Sequence, residues 1–259
     1  MPTIKIYNPE DNFALVDSAS HGSLGSRGID FDGHYFFVGN VTYIRKYEIS
    51  NSATFAINEV DALDVVATLD PTATTLEVYA LCVDNYYLYF AYNYQISIGN
   101  PPAIMIGYKV WRCNFDFTNF EQITTIAGYY GAANPVLSFT HDGLYWFLTS
   151  RGTGSGTTSN FARIDVGARG GPHVVENLNV ATGSRYNAIA WNGINFYTLS
   201  RAGQLLIVDD QRNLLHIGPG FGSAVNDICC SKNMDGTSGF VGNDPVSNRF
   251  GTWIASCEA

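Results

Sequence analysis

Tight-turn dipeptides recur along this chain at near-regular intervals: Asp32-Gly33, Asp84-Asn85, Asp142-Gly143, Asn192-Gly193 and Asp235-Gly236. Their first residues are 52, 58, 50 and 43 positions apart. Asp-Gly and Asn-Gly are strong hairpin signals, because both central residues of a type I′ turn take positive φ. A hairpin of that kind at each interval is a structural repeat, and a repeat restricts the chain to architectures built from one supersecondary unit.

The context of each turn repeats as well. A short strand of small or apolar residues precedes it: 29–31, 79–83, 136–140, 187–191 and 226–230. A bulkier strand follows, as in Tyr35-Phe36-Phe37-Val38, Tyr86-Tyr87-Leu88-Tyr89-Phe90, Leu144-Tyr145-Trp146-Phe147-Leu148 and Ile194-Asn195-Phe196-Tyr197, with Ser238-Gly239-Phe240-Val241 a thinner fifth copy. A third strand is expected at 43–49, 108–115, 161–166, 205–208 and 251–256. A fourth is expected at 54–60, 122–126, 173–178 and 214–217. No window shows a sustained 3.6-residue apolar period, so a helical repeat fails.

Four strands per period, with small residues innermost and continuous apolar runs second, resembles the blade of a β-propeller. The resemblance spans residues 1–259 as one all-β domain and implies five four-stranded blades. The fifth copy ends one strand short at Ala259, while a surplus segment, 12–16 or 3–7, precedes the first copy. Donating that N-terminal strand to the last blade would close the ring and cover both exposed edges.

Antiparallel strands would place the recurring turns on one face and the longer connections on the other, some of them Gly-rich and two of them long loop insertions, 93–104 and 152–159. Arg27 and Arg185 fall in connections entering inner strands; Arg151, Arg201 and Arg249 fall in connections after second strands. Half of the chain's ten arginines are thus expected on one face of a protein with net charge −9. Guanidinium groups bind carboxylates in a bidentate fork, so these five are candidate ligands for an anionic group. Tyr129, Tyr130 and Tyr186, with Phe221, are candidate stacking surfaces on the same rim. The competing structural reading has the arginines stacked on Tyr rings or paired with local Asp.

Catalytic signatures fare worse. Asp30, Glu77 and Asp227, on or before inner strands, are the carboxylates a glycoside hydrolase or lyase would use near the channel; otherwise they are polar channel groups. No GxSxG occurs, and the five histidines show no metal-ligand spacing. The Gly-rich runs 152–156 and 218–222 open no helix, so they form no phosphate cradle, and no cofactor is expected. The five cysteines, Cys82, Cys113, Cys229, Cys230 and Cys257, contain no CxxC and read as buried small apolar residues. Asn40-Val41-Thr42 is a single glycosylation acceptor motif.

Composition narrows the function classes. The acidic balance and the absence of any basic run oppose nucleic-acid binding, and no apolar stretch reaches the length of a membrane span. Charged residues are only 14% of the chain, with 22 Asn and 16 Tyr supplying polarity, a balance expected of proteins working outside cells. The N-terminal residues read as a strand and not as a signal peptide. The sequence therefore leads to a non-catalytic binding or structural propeller. Its expected setting is extracellular, as a virion surface or tail protein that contacts a host glycan, a protein ligand or other virion proteins through the long-loop face.

Overall fold

The computed structural model describes residues 3–8, 11–22, 27–51, 53–73, 75–84, 86–98, 103–125, 136–141, 145–150, 160–165, 173–177, 186–200, 203–211, 213–221, 225–230 and 254–258. β1 (Thr3–Asn8) and β2 (Ala14–Ser20) come first. β3 (Gly28–Phe31), β4 (Tyr35–Gly39), β5 (Tyr43–Asn51) and β6 (Ala56–Asp64) form one four-stranded sheet. A short helix, α1 (Val65–Leu69), leads to a second sheet of β7 (Thr75–Val83), β8 (Leu88–Ile98), β9 (Ala103–Cys113) and β10 (Glu121–Thr125). A third holds β11 (Val136–His141), β12 (Tyr145–Ser150), β13 (Asn160–Asp165) and β14 (His173–Asn177). A fourth holds β15 (Tyr186–Trp191), β16 (Asn195–Ser200), β17 (Gln204–Asp209) and β18 (Leu214–Gly220). β19 (Val225–Cys230) and β20 (Ile254–Glu258) join the N-terminal strands in the order β19-β20-β1-β2.

The first strand of each sheet touches its counterparts in cyclic order: β3 with β7, β7 with β11, β11 with β15, β15 with β19, and β19 with β3. Sheets arranged radially about a common axis with their first strands innermost make a β-propeller. The core lies between the sheets. Ile29, Phe31 and Phe36 pack with Ile4, Ile6, Cys229 and Ala255 of the sheet on one side. On the other side, Phe37, Ile44 and Leu63 pack with Leu76, Leu81, Phe90 and Tyr92.

This packing explains the residue pattern. Second strands are covered on both faces, so β4 and β16 are buried along nearly their whole length. Inner strands crowd the axis, which selects Ala80, Cys82, Ala188 and Cys229, all essentially without exposure. Gly28 is the extreme case: a Cβ there would stand 3.0 Å from the Tyr79 carbonyl oxygen and 3.1 Å from the Leu81 nitrogen.

The turns differ from the expected geometry. Gly33 and Gly193 have φ of 94° and 97°, but Asp32 and Asn192, the other residue of each dipeptide, are not in the positive-φ region. The acidic or amide residue instead holds the turn through its side chain. Oδ1 of Asp32 accepts from the N–H groups of His34 and Tyr35 (2.8 and 2.6 Å), and Oδ1 of Asn192 accepts from Ile194 and Asn195 (2.9 and 2.8 Å). Oδ1 of Asp84 does the same for Tyr86 and Tyr87, at 2.7 Å each. The repeated Asp/Asn is thus a side-chain turn-former.

Two further expectations change. The stretch 93–104, read as a loop insertion, mostly extends the β8–β9 hairpin, which stays in register from Leu88↔Cys113 to Ile98↔Ala103. The C-terminal sheet takes two N-terminal strands and not one. The reason is that β20, expected as a third strand, pairs directly with the inner strand β19 and then with β1. The thin fifth copy, 238–241, lies outside the described residues.

Every outermost strand carries an irregularity that the sequence does not advertise. Pairing skips Val16 in β2, Val60 in β6, Ile123 in β10, Val175 in β14 and Leu215 in β18, which is irregular again between Ile217 and Gly220. Val16, Val60 and Leu215 are 38%, 45% and 54% exposed. A bulge on an edge strand disrupts the row of free N–H and C=O groups that another chain would pair with. The exposed aliphatic residues follow from that edge protection.

Candidate functional site

Antiparallel alternation puts the entries to inner strands and the β4–β5, β8–β9, β12–β13 and β16–β17 connections at one end of the barrel axis. The Asp/Asn turns occupy the other end. Arg27 enters β3 at the first end, with its N–H bonded to the Gly39 carbonyl at 2.8 Å. Its guanidinium carbon lies 5.6 Å from the centroid of the Tyr79 ring on the adjacent inner strand. The Tyr79 hydroxyl donates to the Glu77 carboxylate. Arg27, Tyr79 and Glu77 therefore meet at one end of the axis, all of them partly buried.

Asp30 and Asp227 have a different task. Oδ2 of Asp227 on β19 accepts from the Ile29 N–H of β3 at 3.1 Å. Oδ2 of Asp30 on β3 accepts from the Val83 N–H of β7 at 2.7 Å, while Oδ1 accepts from Phe31 N–H at 2.9 Å. Inner strands are sheet edges, and their free donors must be satisfied when buried. The two aspartates do this across neighbouring sheets. They are 5% and 1% exposed, and each carboxylate is directed at backbone, not at an open cleft. Glu77 is bonded to Tyr79, so the structure joins these three carboxylates to local partners and forms no facing pair in a groove from them.

The other expected ligand residues are placed unevenly. Arg151, Arg185, Arg201, Tyr129 and Tyr130 lie outside the described residues. Tyr186 opens β15 at the Arg27 end of the axis, and its side chain is outside the description. Arg249 also lies outside, in the stretch that leaves β19 and enters β20. Phe221 packs against Tyr7 and Phe13, with ring centroids 4.4 and 6.3 Å away, which accounts for it structurally.

Four other cations have structural partners. One terminal guanidinium nitrogen of Arg45 donates to both carboxylate oxygens of Glu59, at 2.7 Å each. Arg112 pairs with Glu121 at 2.5 Å and lies 4.4 Å over the Tyr87 ring. Lys46 donates to the Phe115 carbonyl at 2.8 Å and sits 4.0 Å over Tyr35, tying two sheets together. Lys109 reaches both oxygens of buried Asp70 (2.9 and 2.7 Å), and Tyr92 donates to the same carboxylate at 2.5 Å.

Cys82, Cys113, Cys229 and Cys230 are buried. Burial, aided by nearby Asp116, pushes the Cys113 thiol up to about 12, so it is inert as a nucleophile. Among the described residues no group of three or more His, Cys, Asp or Glu is placed to hold a metal ion, and no helix is long and apolar enough to cross a membrane. Asn40 sits in a turn in which its Oδ1 accepts from the Tyr43 N–H at 3.0 Å.

No family model matches the chain, and no curated protein matches it. Among solved structures the chain is similar to the β-propeller domain of Cps50 (Swd1) from Myceliophteria thermophila. That match has 11% identity and a TM-score of 0.42, and covers 81% of this chain and 59% of that one. The chain thus spans less than two thirds of the propeller it matches, and the sheet topology itself is what defines this protein as an all-β propeller.

Proposed function

We propose that this chain is a non-catalytic binding module, a propeller of five blades whose ligand face is the Arg27 end of the axis. In this reading the protein works outside a cell, as a virion surface or tail component. It holds an acidic glycan, or the carboxylates of a neighbouring structural protein, through arginines on that face.

One observation carries the reading. Asp30 and Asp227, buried acids on inner strands, bridge those strands through backbone N–H groups, while Arg27 at one end of the axis is bonded to no acid among the described residues. Buried carboxylates that already accept two donors or cross-brace the ring are poorly placed as general acid and base. A guanidinium lacking an acceptor is suited to an external one. The lean charge content supports the extracellular setting. The glycoside hydrolase or lyase reading through Asp30, Glu77 and Asp227 has no geometric observation in its favour.

The test is a glycan array probed with the purified protein beside Arg151→Ala and Arg201→Ala. Binding to acidic glycans that both substitutions weaken is the expected result. Binding to none of the glycans overturns the carbohydrate reading and leaves the protein-contact form of the proposal to be tested by co-purification with particle proteins.

A further inference from the structure

The turn that joins β4 to β5 is shaped by one asparagine. The Asn40 N–H donates to the Tyr43 carbonyl at 2.8 Å, and Oδ1 of Asn40 accepts from the Tyr43 N–H at 3.0 Å. Neighbouring segments pin the residues between them. The Val41 carbonyl accepts from the Val78 N–H at 3.1 Å, and the Thr42 carbonyl accepts from the Val65 N–H at 2.9 Å. Val41 is 42% exposed, and Asn40 and Thr42 are partly exposed. Asn40-Val41-Thr42 is thus held in one conformation at the surface, by groups other than the Asn40 amide nitrogen and the Thr42 hydroxyl.

The Asn40 Nδ2 is therefore uncommitted. Three other turn asparagines spend this nitrogen inside the protein: Asn192 donates to the Tyr197 hydroxyl at 3.2 Å, Asn114 to the Thr118 hydroxyl at 3.3 Å, and Asn213 to Oδ2 of Asp209 at 2.8 Å. Among the described residues nothing accepts from the Asn40 Nδ2, and it is not an enclosed atom. The Thr42 hydroxyl is in the same condition. A bulky sugar is tolerated on a side-chain amide only where that nitrogen faces solvent. Of the 22 asparagines, Asn40 alone begins an Asn-x-Ser/Thr acceptor motif, so motif and open geometry coincide at one residue.

We propose that Asn40 is the acceptor for an N-linked glycan, attached as the chain passes through a secretory pathway. The transfer forms a bond from Nδ2 to the anomeric carbon of an oligosaccharide carried on a lipid diphosphate. The anomeric carbon–oxygen bond breaks, its electron pair leaves with the diphosphate, and the amide gives one proton to a base of the transferase. The glycan stands at the Arg27 end of the axis, because the Gly39 carbonyl beside Asn40 accepts the Arg27 N–H. This rests on the extracellular setting proposed above, in its virion-surface form.

The experiment expresses the full chain behind a cleavable signal peptide in mammalian cells. Chain from cells and medium is read by intact mass and peptide mapping, before and after peptide-N-glycosidase. Wild type is compared with Thr42→Ala, Thr42→Ser and Asn40→Gln. Thr42 gives the turn only its carbonyl, so Thr42→Ala deletes the motif and keeps the turn's hydrogen bonds, which an unchanged melting temperature checks. Asn40→Gln gives up the Oδ1 bond to Tyr43, so Thr42→Ala decides the result if that variant fails to fold. The expected result is one glycan on wild type and on Thr42→Ser, removed by the glycosidase with conversion of Asn40 to aspartate, and lost in Thr42→Ala. A wild-type chain that has shed its signal peptide yet bears no sugar on the Asn40 peptide overturns the acceptor and leaves the binding module standing. A glycan that persists in Thr42→Ala overturns it as well. A glycosylated Asn40 beside a blank glycan array supports the acceptor and removes only carbohydrate binding.

Discussion

The cross-sheet role of Asp30 can be tested through stability. Replacing Asp30 with alanine leaves the Val83 and Phe31 N–H groups, now bonded at 2.7 and 2.9 Å, without their acceptor in a site only 5% exposed. Each buried donor left unsatisfied costs roughly 1–3 kcal/mol. Water entering the vacated site would recover part of this, so about 2–4 kcal/mol is expected in total. For a chain of this length about 2 °C of melting temperature is lost per kcal/mol, so Asp30→Ala should melt about 4–8 °C lower. Asp30→Asn keeps one amide oxygen as acceptor but turns a donor toward the second N–H, so its loss should fall about halfway. Thermal unfolding by circular dichroism, repeated as urea titrations, reads both. A drop below about 1 °C in Asp30→Ala would refute the claim that this carboxylate braces β3 against β7.

Gly28→Ala pushes a methyl group against the β7 backbone, which cannot retreat as a side-chain tip could; a loss of about 1–3 kcal/mol in urea unfolding is expected. Asp70→Ala leaves the Lys109 ammonium without its carboxylate in a mostly buried position and should cost about 3 kcal/mol, while Asp70→Ala/Lys109→Met should recover much of that loss. His21 is held down to about 4, chiefly by burial and secondarily by Arg45. A lowered histidine contributes stability that is complete above its unfolded value of 6.5 and is lost as pH falls from there through about 4. The wild type should therefore lose on the order of 2 kcal/mol more than His21→Gln between those limits. Melting curves that shift in parallel with pH would show that His21 is not the titrating group.

The repeat was legible because its signals are local. Asp32, Asp84 and Asn192 each fold their own turn through side-chain bonds spanning two or three residues, and the apolar run after each turn marks a strand buried on both faces. Even there the sequence could not distinguish an Asx-held turn from a type I′ turn, since both use the same dipeptides. It also read the β8–β9 extension as a loop, because an uncharged stretch containing Pro101 and Pro102 carries strong turn signals. How the ends close could be argued from a missing strand. That two N-terminal strands join, and not one, depends on which strand β20 pairs with.

The site was less legible for a physical reason. Asp30 and Asp227 look the same in sequence whether they face substrate, water or backbone. Their partners are the N–H groups of Val83 and Ile29, 53 and 198 residues away, and nothing local encodes such contacts. Ring packing also decides that Arg27 meets Tyr79 while Arg45 and Arg112 meet glutamates. The bulges in the inner and outer strands likewise appear only when two strands are in register. The sequence by itself determined the periodic unit, its turns and the burial of its second strand, because short-range hydrogen bonds and hydrophobic periodicity act within one repeat. Only the tertiary structure decided which carboxylates brace the ring and that Arg27 meets the Tyr79 ring while Arg45 and Arg112 meet glutamates, because the bracing partners come from different sheets.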